Sequence, residues 1–340
     1  MAHQSIQQEF RALYGSLAPF KSRLPHDLEN YQPALVESLL EDPHFSSFPP
    51  APDFQRQFWR HVVTVIESKG VEVDERIYDR YLSLLSSPTS LIRPNIFTNE
   101  PPAPSFLTYF YATPSSPSTP EKVTLLESRT TIEAGTTGMR TWKASLMLAE
   151  WLIAHPETVQ GKHVLELGAG IGFLGILISK LQGGVAHSSV TMSDVDENVL
   201  ERNRHNVELP PNVVEQPARV IQLDWFDSLD QDTSLTLQLN PPPDLIIGAD
   251  IVFDPSLIEP LVETLWVLSK RPQGAVGPSI TIALSVRRES TIAEFVDTSK
   301  RRGFAVDEIK WNLPSQRLFS GAWEGEADAK GVDIKLFRLH

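Results

Sequence analysis

The stretch Val164-Leu165-Glu166-Leu167-Gly168-Ala169-Gly170-Ile171-Gly172-Phe173-Leu174-Gly175 carries an apolar run into four glycines and out again into apolar residues. It reads as a strand, a tight turn and the start of a helix. Such a turn needs backbone angles that a Cβ forbids, and it brings amide N–H groups at a helix start close to a ligand. Gly170, Gly172 and Gly175 also satisfy the G-x-G-x-x-G spacing of dinucleotide sites, with an acid about 20 residues further on. A nicotinamide or flavin enzyme is therefore one reading. Glu166 favours another, because a carboxylate just ahead of the first glycine repels a pyrophosphate and accepts from a cationic ligand.

Outward from this turn, short β-branched runs alternate with helical stretches, the pattern of a mostly parallel sheet. Strands are expected at 163–167, 189–193, 218–223, 245–248 and 280–285, with helices at about 141–154 and after Phe173, Glu197, Pro255 and Thr291. Two last strands, 306–311 and 332–339, have no helix between them and can pair antiparallel at a sheet edge. The expected fold is α/β: a Rossmann-like seven-stranded sheet with an antiparallel C-terminal hairpin. Methyltransferase sheets of class I end in such a hairpin, whereas dinucleotide folds usually continue parallel. Together with Glu166, this ending points to S-adenosylmethionine.

Ahead of the sheet, Phe10, Leu13, Tyr14 and Leu17 recur at helical spacing, as do Leu35, Leu39 and Leu40, then Phe54, Phe58, Val62 and Ile66, then Ile77, Tyr81 and Leu84. They predict a small all-helical domain over 1–100. The Pro- and Ser-rich stretch 101–122 reads as a linker or loop, and 123–340, opening on Val123-Thr124-Leu125-Leu126-Glu127-Ser128, as the cofactor domain. Across its 340 residues the chain has no cysteine, which closes disulfide frameworks, thiolate zinc sites and iron–sulfur clusters. Its nine histidines show no H-x-H or H-E-x-x-H spacing, so no metal site is expected. A formal charge of −13 argues against direct nucleic-acid contact and for a basic protein partner. No apolar run approaches roughly 18 residues and the start lacks a signal pattern, so a cytoplasmic protein without membrane contact is expected, with a monomer as the default state.

The strand ends supply the chemistry. After the second strand, Asp194 is the expected ribose ligand and Asp196 the cap of the next helix. After the third, Asp224 and Trp225 stand where an adenine would lie, the acid accepting from its amine and the indole stacking. A core Trp beside a surface Asp is the alternative. After the fourth comes Gly248-Ala249-Asp250-Ile251-Val252-Phe253. Methyl transfer to an amine needs that amine neutral, and a lysine near pKa ~10.4 must shed a proton beside an acceptor, so Asp250 is the candidate catalytic residue. The alternative is that it caps a helix or holds a loop. Arg287-Arg288-Glu289, after the fifth strand, could line a substrate entrance or form a solvated face.

These residues together resemble the seven-strand lysine methyltransferases of family 16, and within it the elongation factor 2 lysine methyltransferase branch. Val123–Thr130 and Gly135-Thr136-Thr137-Gly138-Met139-Arg140-Thr141-Trp142 are similar to that branch's lead-in to the cofactor domain, and Phe10-Arg11-Ala12-Leu13-Tyr14 more loosely to its amino-terminal start. The resemblance implies a protein-lysine N-methyltransferase acting on elongation factor 2 with S-adenosylmethionine. It places Trp142, Glu166, Gly168, Gly170, Gly172, Asp194, Asp224, Trp225 and Ala249 on the cofactor and Asp250 and Phe253 beside the target lysine; the helical front, too large for small-molecule chemistry alone, is expected to dock the substrate. The family's acid-x-x-Tyr signature reads Asp250-Ile251-Val252-Phe253 here, which keeps a catalytically weak cofactor-binding adaptor as a rival reading. A nicotinamide oxidoreductase is a second rival. A nucleic-acid methyltransferase would call for an Asn-Pro-Pro-aromatic signature at Asp250.

Overall fold

The apolar i, i+3, i+4 positions near the amino terminus fold as helices α1 (Ala2–Gly15), α2 (Pro52–Ser68) and α3 (Glu75–Ser86), with short helical turns between α1 and α2. The computed structural model describes residues 2–86, 102–113, 116–230, 239–271, 276–311, 319 and 333–340. They form two units, one of residues 2–131 with Phe319 and the other of the remaining described residues from Ile132.

In the first unit Phe10, Leu13, Phe58, Trp59, Ile66 and Ile77 are buried in one cluster. Tyr14 sits among them, edge-on to Phe45 and Phe58 with ring centroids 5.1 and 5.0 Å away. Its hydroxyl donates to Gln55 Oε1 at 3.0 Å and accepts from Trp59 Nε1 at 3.1 Å. Burial pushes the phenol up to about 12, so it stays neutral and fully hydrogen-bonded, as a buried polar group must.

Strands β1 (Ser105–Thr113) and β2 (Ser116–Glu127) pair antiparallel, with Ser105 opposite Glu127 and Tyr109 opposite Val123. This hairpin belongs to the first unit. A Cβ at Gly15 would stand 2.7 Å from the Thr108 carbonyl oxygen, and His44 Nε2 lies 2.8 Å from Thr108 Oγ1. The expected linker over 101–122 is thus largely strand, the front domain is not all-helical, and Val123–Glu127 joins it rather than the large sheet. Two physical reasons account for the difference. Ser105–Tyr111 is a run of aromatic and β-branched residues with strand propensity, and both strands of a two-stranded ribbon are edges, where proline is tolerated.

The second unit holds α4 (Lys143–Ala154), β3 (His163–Leu167), α5 (Phe173–Gln182), β4 (Ser189–Asp194), α6 (Glu197–Glu208), β5 (Arg219–Gln222), β6 (Leu245–Ala249), α7 (Ile258–Ser269), β7 (Ser279–Ser285), α8 (Glu289–Arg302), β8 (Val306–Ile309) and β9 (Ile334–Leu339). Its sheet runs β5-β4-β3-β6-β7-β9-β8. The strands from β3 to β7 pair parallel, and β9 is antiparallel to both β7 and β8. This is the expected seven-stranded fold with its antiparallel ending, though β8 stops at Ile309, short of the expected Trp311. Helices on both faces bury the central strands, which is why Leu245-Ile246-Ile247 is continuously apolar rather than alternating. From β3 the chain moves to β4 and β5 on one side, then returns to β6 on the other. The carboxyl ends of β3 and β6 therefore flank a switch point, where open α/β sheets bind ligands. Among the described residues no helix is long and apolar enough to cross a membrane.

Candidate active site

Leu167 ends β3, and the chain turns at once through Gly168, Ala169 and Gly170 toward α5. Gly170 has φ +53°, and a Cβ there would stand 2.9 Å from the Gly138 carbonyl oxygen, so only glycine lets this turn close. The turn is fastened on both sides. The Gly170 N–H donates to Asp194 Oδ2 at 3.0 Å, and Asn203 Nδ2 donates to the Gly170 carbonyl at 2.8 Å. Over it opens a cavity of about 500 Å³, within the size range of small-molecule sites.

All the expected site residues line this cavity except Gly172. Gly172 precedes α5 at φ +94° and lies against Asn203, whose Oδ1 a Cβ would approach to 2.7 Å. Both the left-handed backbone and the contact with Asn203 call for glycine there.

The acids on the cavity wall are held differently. Glu166 is buried, and burial pushes its carboxyl up to about 8, with the charge of Asp194 adding to the shift. Its Oε2 has no hydrogen-bond partner. Asp194 accepts from three amides: Gly170 at Oδ2, and Val195 and Asp196 at Oδ1, at 2.8 and 3.3 Å. Desolvation still holds it above its ordinary value. Asp194 thus builds the glycine turn as well as facing the cavity. Asp196 caps α6 as expected, accepting from the Asn198 and Val199 N–H groups at 2.9 and 3.2 Å. Asp224 accepts from the Phe226 N–H at 2.9 Å, and Trp225 packs on the sheet core while both residues line the cavity.

At the end of β6, Asp250 has φ +55°. A non-glycine residue held there costs about 1–3 kcal/mol and persists only where its surroundings fix it. The fixing contacts are explicit. Its N–H donates to the Ala283 carbonyl at 2.9 Å, while the N–H and Oγ of Ser285 donate to its two carboxylate oxygens, each at 2.8 Å. Asp250 does not cap the next helical turn; Asp254 does, accepting from the Ser256 N–H at 2.9 Å. Asp250 instead ties the turn to the end of β7 while its carboxylate lines the cavity. Ala249 lines it too, and Phe253 is 56% exposed on its wall.

Trp142 precedes α4, its Nε1 donating to the Thr137 carbonyl at 3.0 Å. The guanidinium carbons of Arg140 and Arg287 lie 5.3 and 4.7 Å from its ring centroid. Ser285, Asn203 and Arg140 carry no signal of their own in the sequence. Ser285 and Asn203 act through partners 35 and 33 residues away, and Arg287 shows only as part of a charge group.

An orphaned buried carboxylate oxygen, a turn closed to any Cβ, and walls carrying Glu166, Asp194, Asp196, Asp224 and Asp250 fit a ligand with cationic groups such as S-adenosylmethionine. Among the described residues no cluster of three or more His, Asp or Glu could hold a metal ion.

Residues 121–301 match a protein family described as "Lysine methyltransferase". The protein-lysine N-methyltransferase EFM3 of Chaetomium thermophilum is 36% identical over 195 residues, 57% of this chain and 56% of its own. The human protein-lysine N-methyltransferase EEF2KMT is 34% identical over 210 residues, 58% of this chain and 59% of its own. Its Bos taurus counterpart is 28% identical over 305 residues, 84% and 81% of the two chains. The matched segment thus spans little more than half the length of the first two relatives.

Proposed function

The chain belongs to the lysine methyltransferase family, and from that premise we propose that it is a protein-lysine N-methyltransferase that uses S-adenosylmethionine and acts on translation elongation factor 2 in the cytoplasm. The observation that carries this reading is the acid-lined cavity at the ends of β3 and β6, with Glu166 Oε2 unsatisfied and Asp250 fixed on its wall.

When bound, S-adenosylmethionine supplies an electrophilic methyl group on a sulfonium sulfur. Glu166 would ionise to accept from the ammonium of the cofactor's amino-acid tail. Asp194 and Asp224 keep acceptor capacity beyond the amides they already hold, for the ribose hydroxyls and the adenine amine, and Trp225 offers a stacking face. On the acceptor side, Phe253 gives the lysine stem an apolar approach that favours the neutral amine. Each carboxylate oxygen of Asp250 holds one Ser285 donor and retains acceptor capacity, so it can take an amine N–H and aim the nitrogen lone pair.

The relatives whose names include protein-lysine N-methyltransferase support this chemistry, and the elongation factor 2 branch motifs support the substrate. In the first unit, Tyr78, Leu82 and Leu85 lie 40–44% exposed on α3, which suits the proposed docking role; slowed hydrogen exchange of α3 on adding the factor is expected, and unchanged exchange would count against it. The test of the function is incubation of the full chain with methyl-labelled S-adenosylmethionine and unmodified elongation factor 2, followed by acid hydrolysis. Label in methyllysine is expected; label in another amino acid, or none, contradicts the reading.

A further inference from the structure

We propose that Arg287 is a carboxylate-binding group at the cavity, an inference that rests on the function proposed above. Arg287 lies two residues past the end of β7 and two before α8, and it is exposed. Its guanidinium carbon stands 4.7 Å from the Trp142 ring centroid, and the indole is itself pinned by its bond to the Thr137 carbonyl. Among the described residues no carboxylate or other acceptor meets the Arg287 side chain. It lines the cavity nonetheless.

The charge around it is segregated. The other charged residues of the lining are acids apart from Arg140, which lies over the same indole. The Arg287 guanidinium, held at the ring and without an acceptor of its own among the described residues, favours an anion. A guanidinium stacked on a fixed ring presents its N–H fork in a defined plane, which suits a carboxylate bidentately in a way a lysine ammonium cannot match. The carboxylate has two sources under the proposed function: the amino-acid tail of the cofactor, or an acidic side chain beside the target lysine.

The test uses the full-length protein and Arg287→Gln, which keeps the stem but removes the charge and fork. Calorimetry with S-adenosylhomocysteine is compared with methylthioadenosine, which shares the adenosine and thioether but has no amino-acid tail. The KM for elongation factor 2 is measured alongside. S-adenosylhomocysteine weakened roughly tenfold, with methylthioadenosine unchanged, supports the inference and assigns the cofactor carboxylate. Unchanged binding of both, with KM raised roughly tenfold at constant kcat, supports it and assigns the substrate carboxylate. No change in any of the three overturns it, as does equal weakening of both small molecules, which would mean a disturbed pocket. A wild-type protein that binds neither small molecule and leaves the factor unmodified overturns the proposed function and this inference with it.

Discussion

Strands β3 and β6 lie side by side, with Leu167 in register with Gly248, and each delivers an acid to the same cavity in an opposite way. At the end of β3, Glu166 is buried with one oxygen unsatisfied. At the end of β6, both oxygens of Asp250 are matched by Ser285 on a left-handed backbone. The first end holds a desolvated acid that the cation of the proposed ligand would ionise and pair. The second stores geometry, a carboxylate that cannot turn away from its place. Under the proposed function, binding and positioning would be divided between these neighbouring strands.

The contrast can be broken most severely at the β3 end. Gly170→Ala forces a Cβ toward the Gly138 carbonyl at φ +53°, and the affinity for S-adenosylhomocysteine is expected to fall roughly 100-fold or more by calorimetry, with a lower thermal midpoint. Affinity near wild type would show that the turn does not carry the cofactor.

Glu166 sharpens the same end through pH. Its carboxyl must ionise to hold an ammonium, so affinity should rise about tenfold per pH unit up to about 8 and then level, and Glu166→Gln should flatten the profile. Folding runs the other way. The carboxyl stands at about 8 when folded against an ordinary value of 4.5, so the folded state binds the extra proton between those values. That contribution to stability is complete below about 4.5 and is lost as pH rises through 8. Glu166→Gln should therefore gain on wild type in urea unfolding as pH climbs from 5 to 8. A constant difference would contradict the buried acid with a raised pKa.

At the β6 end, Ser285→Ala removes one of the two donors on Asp250. Turnover should drop roughly tenfold with cofactor affinity intact, and Ser285→Thr, which keeps a hydroxyl, should recover much of it. A loss of cofactor affinity instead would erase the division between the two ends. The smallest effect is expected from Phe253→Tyr, which restores the family's acid-x-x-Tyr. With the ring 56% exposed, stability should stay within about 0.5 kcal/mol and turnover within about threefold. A gain of an order of magnitude would assign the hydroxyl a part in orienting the amine.

The same division explains what was legible in the sequence. The glycine turn, the seven strands and the Asp196 cap are local features, written in residues a few positions apart, and the structure places them as read. The hold on Asp250 is not local: Ser285 lies 35 residues on, and nothing about a serine at a strand end announces its partner. Gly172 belongs to the glycine pattern and also packs against Asn203 in the middle of α6, a contact that spacing alone does not announce. In the first unit, helical periodicity found α1 to α3, while the prolines around 101–120 masked a hairpin whose strands are all edges and can accommodate them.

The most direct test of the central claim is the intact mass of initially unmodified elongation factor 2 after incubation with S-adenosylmethionine and either wild-type protein or Asp250→Ala, with cofactor binding checked for both. The account predicts gains in steps of ~14 Da with wild type, lost in a variant that still binds cofactor. Equal gains with both proteins, or no gain with wild type, would contradict it.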